Sequence, residues 1–503
     1  METEMKKKEQ TMMCAENLKI NEMRDKKINS QTTKETSGIT LIALVVTIVV
    51  LLILAGITIS LVFSENGIIA KAKEAAEKTN QAAINEQAHM NELAEYLENA
   101  LNEIGGNTPP EEPTLPSDGS YSEEKGVNTP NLGEGMTPIK WDETKKDWVE
   151  TYGSDPEWYN YGETESTRKW ANAKTSDGSM WVWIPRYAYS ITSGYHKSGA
   201  DINSTAPEEG AGTIEVEFMK GISSESSTGR TNFQNVSGEG KWNIHPAFNY
   251  GQTVSGIWVA KFEASNSSGK IKVVPGVSSW RSITVNDIYT NCLNYNKTLN
   301  SHMMKNDEWG AVAYLSKSKY GKQNEEVWIN NSSSYITGSA GNSASAGSNT
   351  GTTTDYTSTQ GVKASTTGTV HGVYDMSGGA WEYVAAYVNN GNSNLTSYGS
   401  SLVNGDAKTK NVYSKGSSDS RDNNYSANSG KYGDAVYETS SNSSSPWNLS
   451  WYGDYSYFPY AGLPFFVRGG DCDSGAGAGV FCFSYYDGSS ISDASFRPVL
   501  VTL

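Results

Sequence analysis

The stretch GVYDMSGGAWEYVAAYV, at residues 372–388, decides the fold of this 503-residue chain. Two shorter stretches follow it, FFVRGG at residues 465–470 and SFRPVL at residues 495–500. Further upstream, the runs MWVWIPRYAYSI (residues 180–191) and GIWVAKFEAS (residues 256–265) mix tryptophan, tyrosine and β-branched residues. Such runs are typical of short strands, so the sequence predicts a sheet built from several separated segments.

Few helices are expected among these strands. Residues 285–299 and 306–316 are the only convincing helix patterns in this part of the chain. Residues 330–354 and 414–445 are rich in serine, glycine, asparagine and threonine, and they predict long surface loops. Together with an N-terminal helix considered below, this pattern favours the α+β class with a modest sheet core.

The quoted stretches resemble the formylglycine-generating-enzyme/sulfatase-modifying family. That family has a YDMSGNVWEW element, then an RGGSW strand and a closing GFR. HPAF at residues 245–248 and SHMMKNDEWGAVAYLSKSKYG at residues 301–321 extend the resemblance, with the run from Trp183 to Arg186. The motifs occur in the family's order, and the resemblance covers residues 128–503. It implies a variant of the C-type lectin fold, which tolerates long and divergent loops.

The N-terminal segment predicts a membrane anchor. Residues 39–64, from Ile39 to Ser64, carry no charge and are long enough to cross a bilayer. Positive residues precede them, which predicts an extracellular C-terminal part. The junction resembles the prepilin signal of type IV pilins, which implies that residues 1–38 are a leader cleaved between Gly38 and Ile39. That family usually has glutamate where this chain has Ala43, so a tip or minor subunit is favoured over a main shaft subunit, and a plain anchor is the alternative.

Two further segments connect this anchor to the C-terminal domain. Residues 65–104 have apolar residues at helical spacing and predict an amphipathic stalk helix. Residues 105–127 contain proline and acidic residues and predict a linker. The domain proper is then residues 128–503.

Composition excludes some classes of function. The chain has 56 Asp and Glu against 40 Lys and Arg, a formal charge of −16, which argues against a nucleic-acid partner. Four cysteines cannot form a disulfide framework in a chain of this length. Formylglycine-generating enzymes use a cysteine pair near the RGG motif to bind copper, and Cys472 and Cys482 lie in that region. Their spacing and flanks differ from the family pattern, so we expect no enzyme and no metal site at these cysteines. The lectin-type fold and the loops rich in Asp and Asn are compatible with calcium, but the chain has no EF-hand-like spacing.

Residues 469–496 have an unusual composition. They contain no Lys, Glu, Gln, Met or Trp, and these five residue types share the property that no codon for them ends in a pyrimidine. This is the result expected when AAC or AAT codons are randomised at both adenines. It resembles the variable proteins of diversity-generating retroelements, whose C-terminal regions are rewritten on this lectin-type scaffold. The resemblance implies a variable region at about residues 450–497.

The resemblance divides this region into fixed and diversified positions. The fixed frame is Arg468, Gly469, Gly470, Gly475, Gly479, Val480, Phe481, Phe483, Gly488, Phe496 and Arg497. The diversified, ligand-binding positions are Asp471, Cys472, Asp473, Ser474, Ala476, Cys482, Ser484, Tyr485, Tyr486, Ser489, Ser490 and Ser492. Additional variable positions are Tyr452, Asp454, Tyr455, Ser456 and Tyr460.

The sequence therefore predicts a surface-displayed, pilin-like protein whose C-terminal domain binds a protein or glycan ligand through a diversified face. Its predicted location is the plasma membrane, with an extracellular domain at the cell surface or a pilus tip. The predicted contacts are with the membrane through residues 39–64 and with other pilins. The alternatives are an anchored receptor that does not assemble and a formylglycine-generating-type oxidase.

Overall fold

A computed structural model describes residues 117–162, 164–202, 210–351, 354–442 and 450–503. These residues belong to one compact unit, Glu112–Leu503. The predicted leader, the apolar segment 39–64, the stalk at residues 65–104 and the cleavage site between Gly38 and Ile39 all lie outside the described residues.

The helices in the described part of the chain are short. The longest has 12 residues. They are α1 (Gly199–Ile202), α2 (Val285–Tyr295), α3 (Asn306–Lys317), α4 (Asn394–Ser397), α5 (Ser400–Asn404) and α6 (Arg421–Ala427).

The predicted fold class, α+β headed by a long helix, is wrong for these residues, which form more strand than α-helix. The strand content follows from the residue types in each segment. Aromatic and β-branched runs form strands, and the serine-, glycine- and asparagine-rich segments between them form loops and single helical turns.

The predicted location is contradicted as well. Within the described ranges, every helix is too short or too polar to cross a membrane. The prediction of a plasma-membrane protein with an extracellular domain is therefore wrong by this finding.

Short strands supply most of the regular structure. In chain order, the first ten are β1 (Tyr121–Ser122), β2 (Val127–Asn128), β3 (Met136–Asp142), β4 (Asp147–Glu150), β5 (Asn172–Thr175), β6 (Met180–Pro185), β7 (Tyr187–Ser193), β8 (Thr213–Phe218), β9 (Asn243–Ile244) and β10 (Gly256–Ala260). The others are β11 (Ser265–Ser267), β12 (Lys270–Lys272), β13 (His302–Met303), β14 (Trp381–Asn389), β15 (Asn411–Ser414), β16 (Phe465–Gly469), β17 (Gly479–Tyr486), β18 (Ala494–Phe496) and β19 (Pro498–Leu500).

These strands form three larger sheets. A seven-stranded antiparallel sheet has the order β13–β19–β10–β6–β5–β3–β4. A five-stranded sheet has the order β15–β14–β16–β17, with β18 paired in parallel to the first residues of β14. A three-stranded sheet has the order β8–β7–β9. The end of the predicted linker also belongs to the fold, because β1 pairs with β2 and Val127 is fully buried.

Arg497 joins three of the quoted sequence stretches in the core. Its guanidinium donates to both carboxylate oxygens of Glu382, at 3.1 Å from Nε and 2.6 Å from Nη2. It also donates to the main-chain oxygens of Ala260, at 2.7 Å, and Tyr374, at 2.9 Å. Arg497 and Glu382 are both buried, so the ion pair is shielded from water and satisfied by hydrogen bonds.

Helix α3 holds the start of β17 in place. The indole nitrogen of Trp309 donates to the main-chain oxygen of Val480 at 2.8 Å. Arg468, on β16, donates to Asn306 Oδ1 at 2.9 Å and to the main-chain oxygen of Asp434 at 3.0 Å. All of these side chains are buried. The five-stranded sheet is thus fixed to the helix through groups that lie directly beneath β17.

A buried glutamate links α3 to β7. Oε2 of Glu438 accepts hydrogen bonds from Tyr189 at 2.8 Å, Tyr314 at 2.9 Å and the amide of Gly433 at 2.7 Å. Oε1 of the same carboxyl is buried and has no hydrogen-bond partner. Burial, assisted by the nearby Asp434, raises the pKa of Glu438 to about 7, against the hydrogen bonds that it accepts.

We expect this carboxyl to make stability fall as the pH rises from about 4.5 to 7. In that interval the folded protein retains a proton that the unfolded chain has released, so the free energy of unfolding decreases by about 3 kcal/mol from this group. Urea unfolding at a series of pH values measures the effect. Glu438→Gln serves as the control, because it removes this titration and leaves the other buried carboxyls in both proteins. An identical pH slope in the two proteins would contradict the assignment.

Candidate ligand-binding face

β17 is buried at its start and exposed at its end. Its first five residues are buried, whereas Ser484, Tyr485 and Tyr486 are half-exposed. A chain segment runs parallel to the strand along its outer edge: the amide of Phe483 donates to the oxygen of Tyr455 at 3.0 Å, and the amide of Tyr457 donates to the oxygen of Phe483 at 2.9 Å. The end of β17 and this segment therefore project side chains from one region of the surface.

Five half-exposed tyrosines lie in this region, and we call them the tyrosine face: Tyr455, Tyr457, Tyr460, Tyr485 and Tyr486. Neighbouring strand residues point to opposite sides, so Tyr485 and Tyr486 have different neighbours. Tyr485 makes edge contacts with Tyr457, at 5.9 Å between ring centroids, and with Tyr460, at 5.2 Å. Tyr486 makes an edge contact with Trp381 at 6.4 Å, and Tyr455 stacks on the same indole at 6.5 Å. The two groups meet where the rings of Tyr455 and Tyr457 lie 6.0 Å apart between centroids.

Arg421 contacts Tyr485 and its two neighbours, Tyr457 and Tyr460. Its guanidinium carbon lies 5.5 Å from the ring centroid of Tyr457, 5.1 Å from that of Tyr460 and 5.6 Å from that of Tyr485. Cation–π contacts at these distances are attractive, so Arg421 holds three flexible aromatic side chains near one position. Arg421 begins α6, far from the variable segment in the sequence.

The loop between β16 and β17 adds acidic and small side chains. The hydroxyl of Ser474 donates to Asp471 Oδ1 at 2.6 Å and accepts from the Asp471 amide at 3.0 Å, which closes the loop on itself. Asp473 and Ala476 are exposed beside them. Burial raises the pKa of Asp471, with a smaller contribution from Asp493 and against the hydrogen bond from Ser474.

The serines after β17 lie at the border of this region. Ser489 and Ser490 come directly after β17 and a short turn. The main-chain oxygen of Ser489 accepts a hydrogen bond from the Tyr383 hydroxyl at 3.2 Å. The main-chain oxygen of Ser492 accepts from the Arg281 guanidinium, which stacks over Tyr335 at 3.9 Å. Ser490 and Ser492 are exposed, so their side chains are available to a ligand.

Five predicted variable residues lie inside the protein instead. Cys472 is 1% exposed and Cys482 is fully buried. Tyr452, Asp454 and Ser456 are buried as well. Tyr452 donates to the oxygen of Gln323 at 3.4 Å, and the Ser456 hydroxyl donates to the oxygen of Asn442. None of these five side chains forms part of the accessible surface of the tyrosine face.

Asp454 has a structural role. Its Oδ2 accepts from the amide of Phe481 at 2.9 Å, at the start of β17. A side chain at Gly479 would meet this carboxylate at 2.1 Å, which explains why glycine stands there. Burial raises the pKa of Asp454 well above its usual value, and the nearby Glu326 adds to the effect.

The two cysteines of this region are both free thiols. Burial raises the pKa of Cys472 to about 11, and burial also raises the pKa of Cys482 well above its ordinary value. Both are therefore protonated at neutral pH, whereas the thiolate is the form that acts as nucleophile and metal ligand. Within the described residues, no three His, Cys, Asp or Glu side chains are grouped so as to hold a metal ion.

Sequence reasoning missed three members of this region, Tyr457, Trp381 and Arg421. Tyr457 lies between two predicted variable residues, and its codon also ends in a pyrimidine, so the same rule would have found it. Trp381 belongs to the quoted stretch on β14. Nothing in the local sequence of Arg421 indicates that it contacts tyrosines near residue 460.

Comparison with known proteins adds no family assignment. The chain matches no protein-family model, and it matches no curated protein.

Proposed function

We propose that this domain is a binding module whose ligand contacts the tyrosine face and the neighbouring loop, and that this surface is diversified by adenine-directed mutagenesis. The observation that carries the proposal is the agreement between the positions that the resemblance assigns as diversified and their exposure. Of the twelve positions assigned as diversified, ten are at least partly exposed, the exceptions being Cys472 and Cys482. The assigned frame residues are buried, apart from Gly475.

The chemistry of the exposed side chains suits binding of varied partners. Tyrosine supplies a large and rigid contact area with a hydroxyl at its tip, and serine and aspartate supply adaptable hydrogen bonds. Trp381 and Arg421 lie outside the variable segment and contact its tyrosines. A protein or a glycan is the class of ligand that such a surface fits, and each variant of the surface would have its own.

The burial of both thiols favours this function over an oxidase. Copper and oxygen chemistry at a cysteine pair requires sulfur atoms that a metal can reach. Cys482 is fully buried, and Asp454, which lies nearby, further disfavours the thiolate. The pair is therefore better explained as part of the interior packing beneath the binding face.

Sequencing the gene from many independent isolates tests the proposal. We expect substitutions at Ser484, Tyr485 and Tyr486, all of them explained by changes at adenines of AAC or AAT codons. The neighbouring DNA is expected to contain a reverse transcriptase gene and a near-copy of the 3′ end of this gene that differs from it at adenines.

The frame provides the internal control for this experiment. Val480, Phe481 and Phe483 lie between the variable positions and should remain unchanged, because they are buried against α3 and the neighbouring sheet. Substitutions spread equally over frame and exposed positions, or a neighbourhood without a reverse transcriptase and a template copy, would refute diversification.

A further inference from the structure

Strand β8 has a free edge. It pairs with β7 on one side only, and no other described strand pairs with it. The ladder fixes which main-chain groups face outward: the Met219 amide donates to the oxygen of Arg186 on the β7 side, whereas the oxygen of Phe218 accepts from Ser227 on the other side. Because orientation alternates along a strand, Ile214 and Val216 direct their main-chain N–H and C=O groups away from β7.

A groove runs along this edge. Its volume is about 430 Å³, and β8 lines it with consecutive residues from Thr213 to Glu217. The opposite wall contains Lys317, at the end of α3, and Gln323. Trp242 also lines the groove, and the Arg230 guanidinium stacks 4.0 Å from its ring and binds Glu217. The groove thus places a facing wall beside a strand edge that no other described strand pairs with, and Ile214 and Val216 at this edge are 5% and 4% exposed. An unpaired edge beside a wall is the arrangement that accepts an added strand.

The wall also carries a cation without an anionic partner. Lys317 is 8% exposed, and its Nζ donates to the oxygen of Gln323 at 2.8 Å and to Asn324 Oδ1 at 3.2 Å. No ion pair involves this lysine within the described residues. Burial lowers its pKa to about 8, so the ammonium has lost hydration that two neutral oxygens only partly replace. The ammonium also lies 5.4 Å from the ring centroid of Tyr452, and its third N–H makes no hydrogen bond with a described residue.

We propose that this groove binds an extended segment of a partner protein, which adds a strand to the free edge of β8 and places a carboxylate side chain on Lys317. Main-chain hydrogen bonds to Ile214 and Val216 supply affinity that does not depend on the partner's sequence. The carboxylate supplies specificity, since a charge-assisted hydrogen bond to a largely buried ammonium is stronger than one in water. This site is separate from the tyrosine face and does not depend on its function.

Selection of a phage-displayed library of linear peptides on the full chain tests the proposal. We expect enriched peptides to contain an aspartate or glutamate within a run of β-branched residues. Binding of the synthetic peptides is then measured by fluorescence polarisation. Lys317→Gln should weaken it about tenfold, as expected for the loss of one charged hydrogen bond. Lys322→Gln is the matched control, because Lys322 is also a buried lysine but lies outside the groove.

A second pair of variants tests the added strand. Val216→Pro removes an outward-facing N–H and leaves the β7 ladder intact, so peptide affinity should fall about tenfold or more. Val216→Ala loses similar packing but retains the N–H, and it should bind the peptides normally. Peptides that bind both Val216 variants equally, competition by free acetate or glucuronate at the same concentrations, or a library without enriched acidic peptides would each overturn the proposal.

Discussion

Arg497→Met is expected to lower the free energy of unfolding by about 3–5 kcal/mol, because it removes the cation that pairs with the buried Glu382 carboxyl. The substitution also removes the donors to the main-chain oxygens of Ala260 and Tyr374, which lie in two of the stretches that Arg497 joins. Burial already raises the pKa of Glu382 to about 7 in the presence of the arginine. The mutant should therefore hold this carboxyl protonated in the folded state. Urea unfolding at pH 7 measures the loss.

Arg421→Met is the matched control for this experiment. Arg421 is a half-buried arginine that stacks on tyrosines, and cation–π contacts of that kind contribute only about 0.5–1 kcal/mol. The two substitutions remove the same charge from the same unit of the protein. A loss below about 1 kcal/mol for Arg497→Met, or equal losses in both variants, would show that the buried ion pair does not hold the three stretches together.

The second large effect separates two positions of β17 that the codon rule treats alike. Cys482→Asp should destabilise the protein by roughly 3 kcal/mol or more, because it places a carboxylate in a fully buried site beside Asp454. Ser484→Asp, two residues further along the strand, should change the free energy of unfolding by about 0.5 kcal/mol or less. Thermal unfolding of both variants, followed by circular dichroism, gives the comparison.

Cys482→Ala distinguishes the effect of charge from that of packing. It removes only a small buried group, so we expect a loss of about 1 kcal/mol, well below that of the aspartate. If Cys482→Asp were as stable as Ser484→Asp, the start of β17 would have to be accessible to water, and Cys482 would return to the binding surface.

Much of the sheet was predictable from local sequence. The run at residues 180–191 contains β6 and all but the last two residues of β7, and the run at 256–265 contains β10. The helix predicted at residues 306–316 is α3, with its end one residue later. The helix predicted at residues 285–299 ends earlier, because Asn296 is extended and its amide donates to the Ser301 hydroxyl at 2.8 Å. That hydrogen bond involves a side chain beyond the predicted helix end, so apolar spacing does not reveal it.

The candidate binding face was predictable only in part. The codon rule indicates which residue types can vary, and Tyr485 and Tyr486, two of the positions assigned as diversified, are partly exposed. It contains no information on which face of a segment is covered. Asp454 and Ser456 are buried because residues 455–457 run parallel to β17, a pairing between segments more than twenty residues apart. Tertiary pairings of this kind decide exposure, and they have no local sequence signal.

The division of β17 into a buried start and an exposed end has a consequence for how many working proteins one gene could produce. A rewritten codon at Cys482 would yield many proteins that fold poorly, since the charged and large residues among those that such codons encode do not fit a fully buried site. Rewritten codons for residues 484–486 would yield mostly folded proteins, since these side chains are partly exposed, with proline as an exception because residues 484–486 pair with β16. Because Tyr485 and Tyr486 contact separate neighbours, the two positions can change independently, and the number of distinct surfaces grows as the product of their choices.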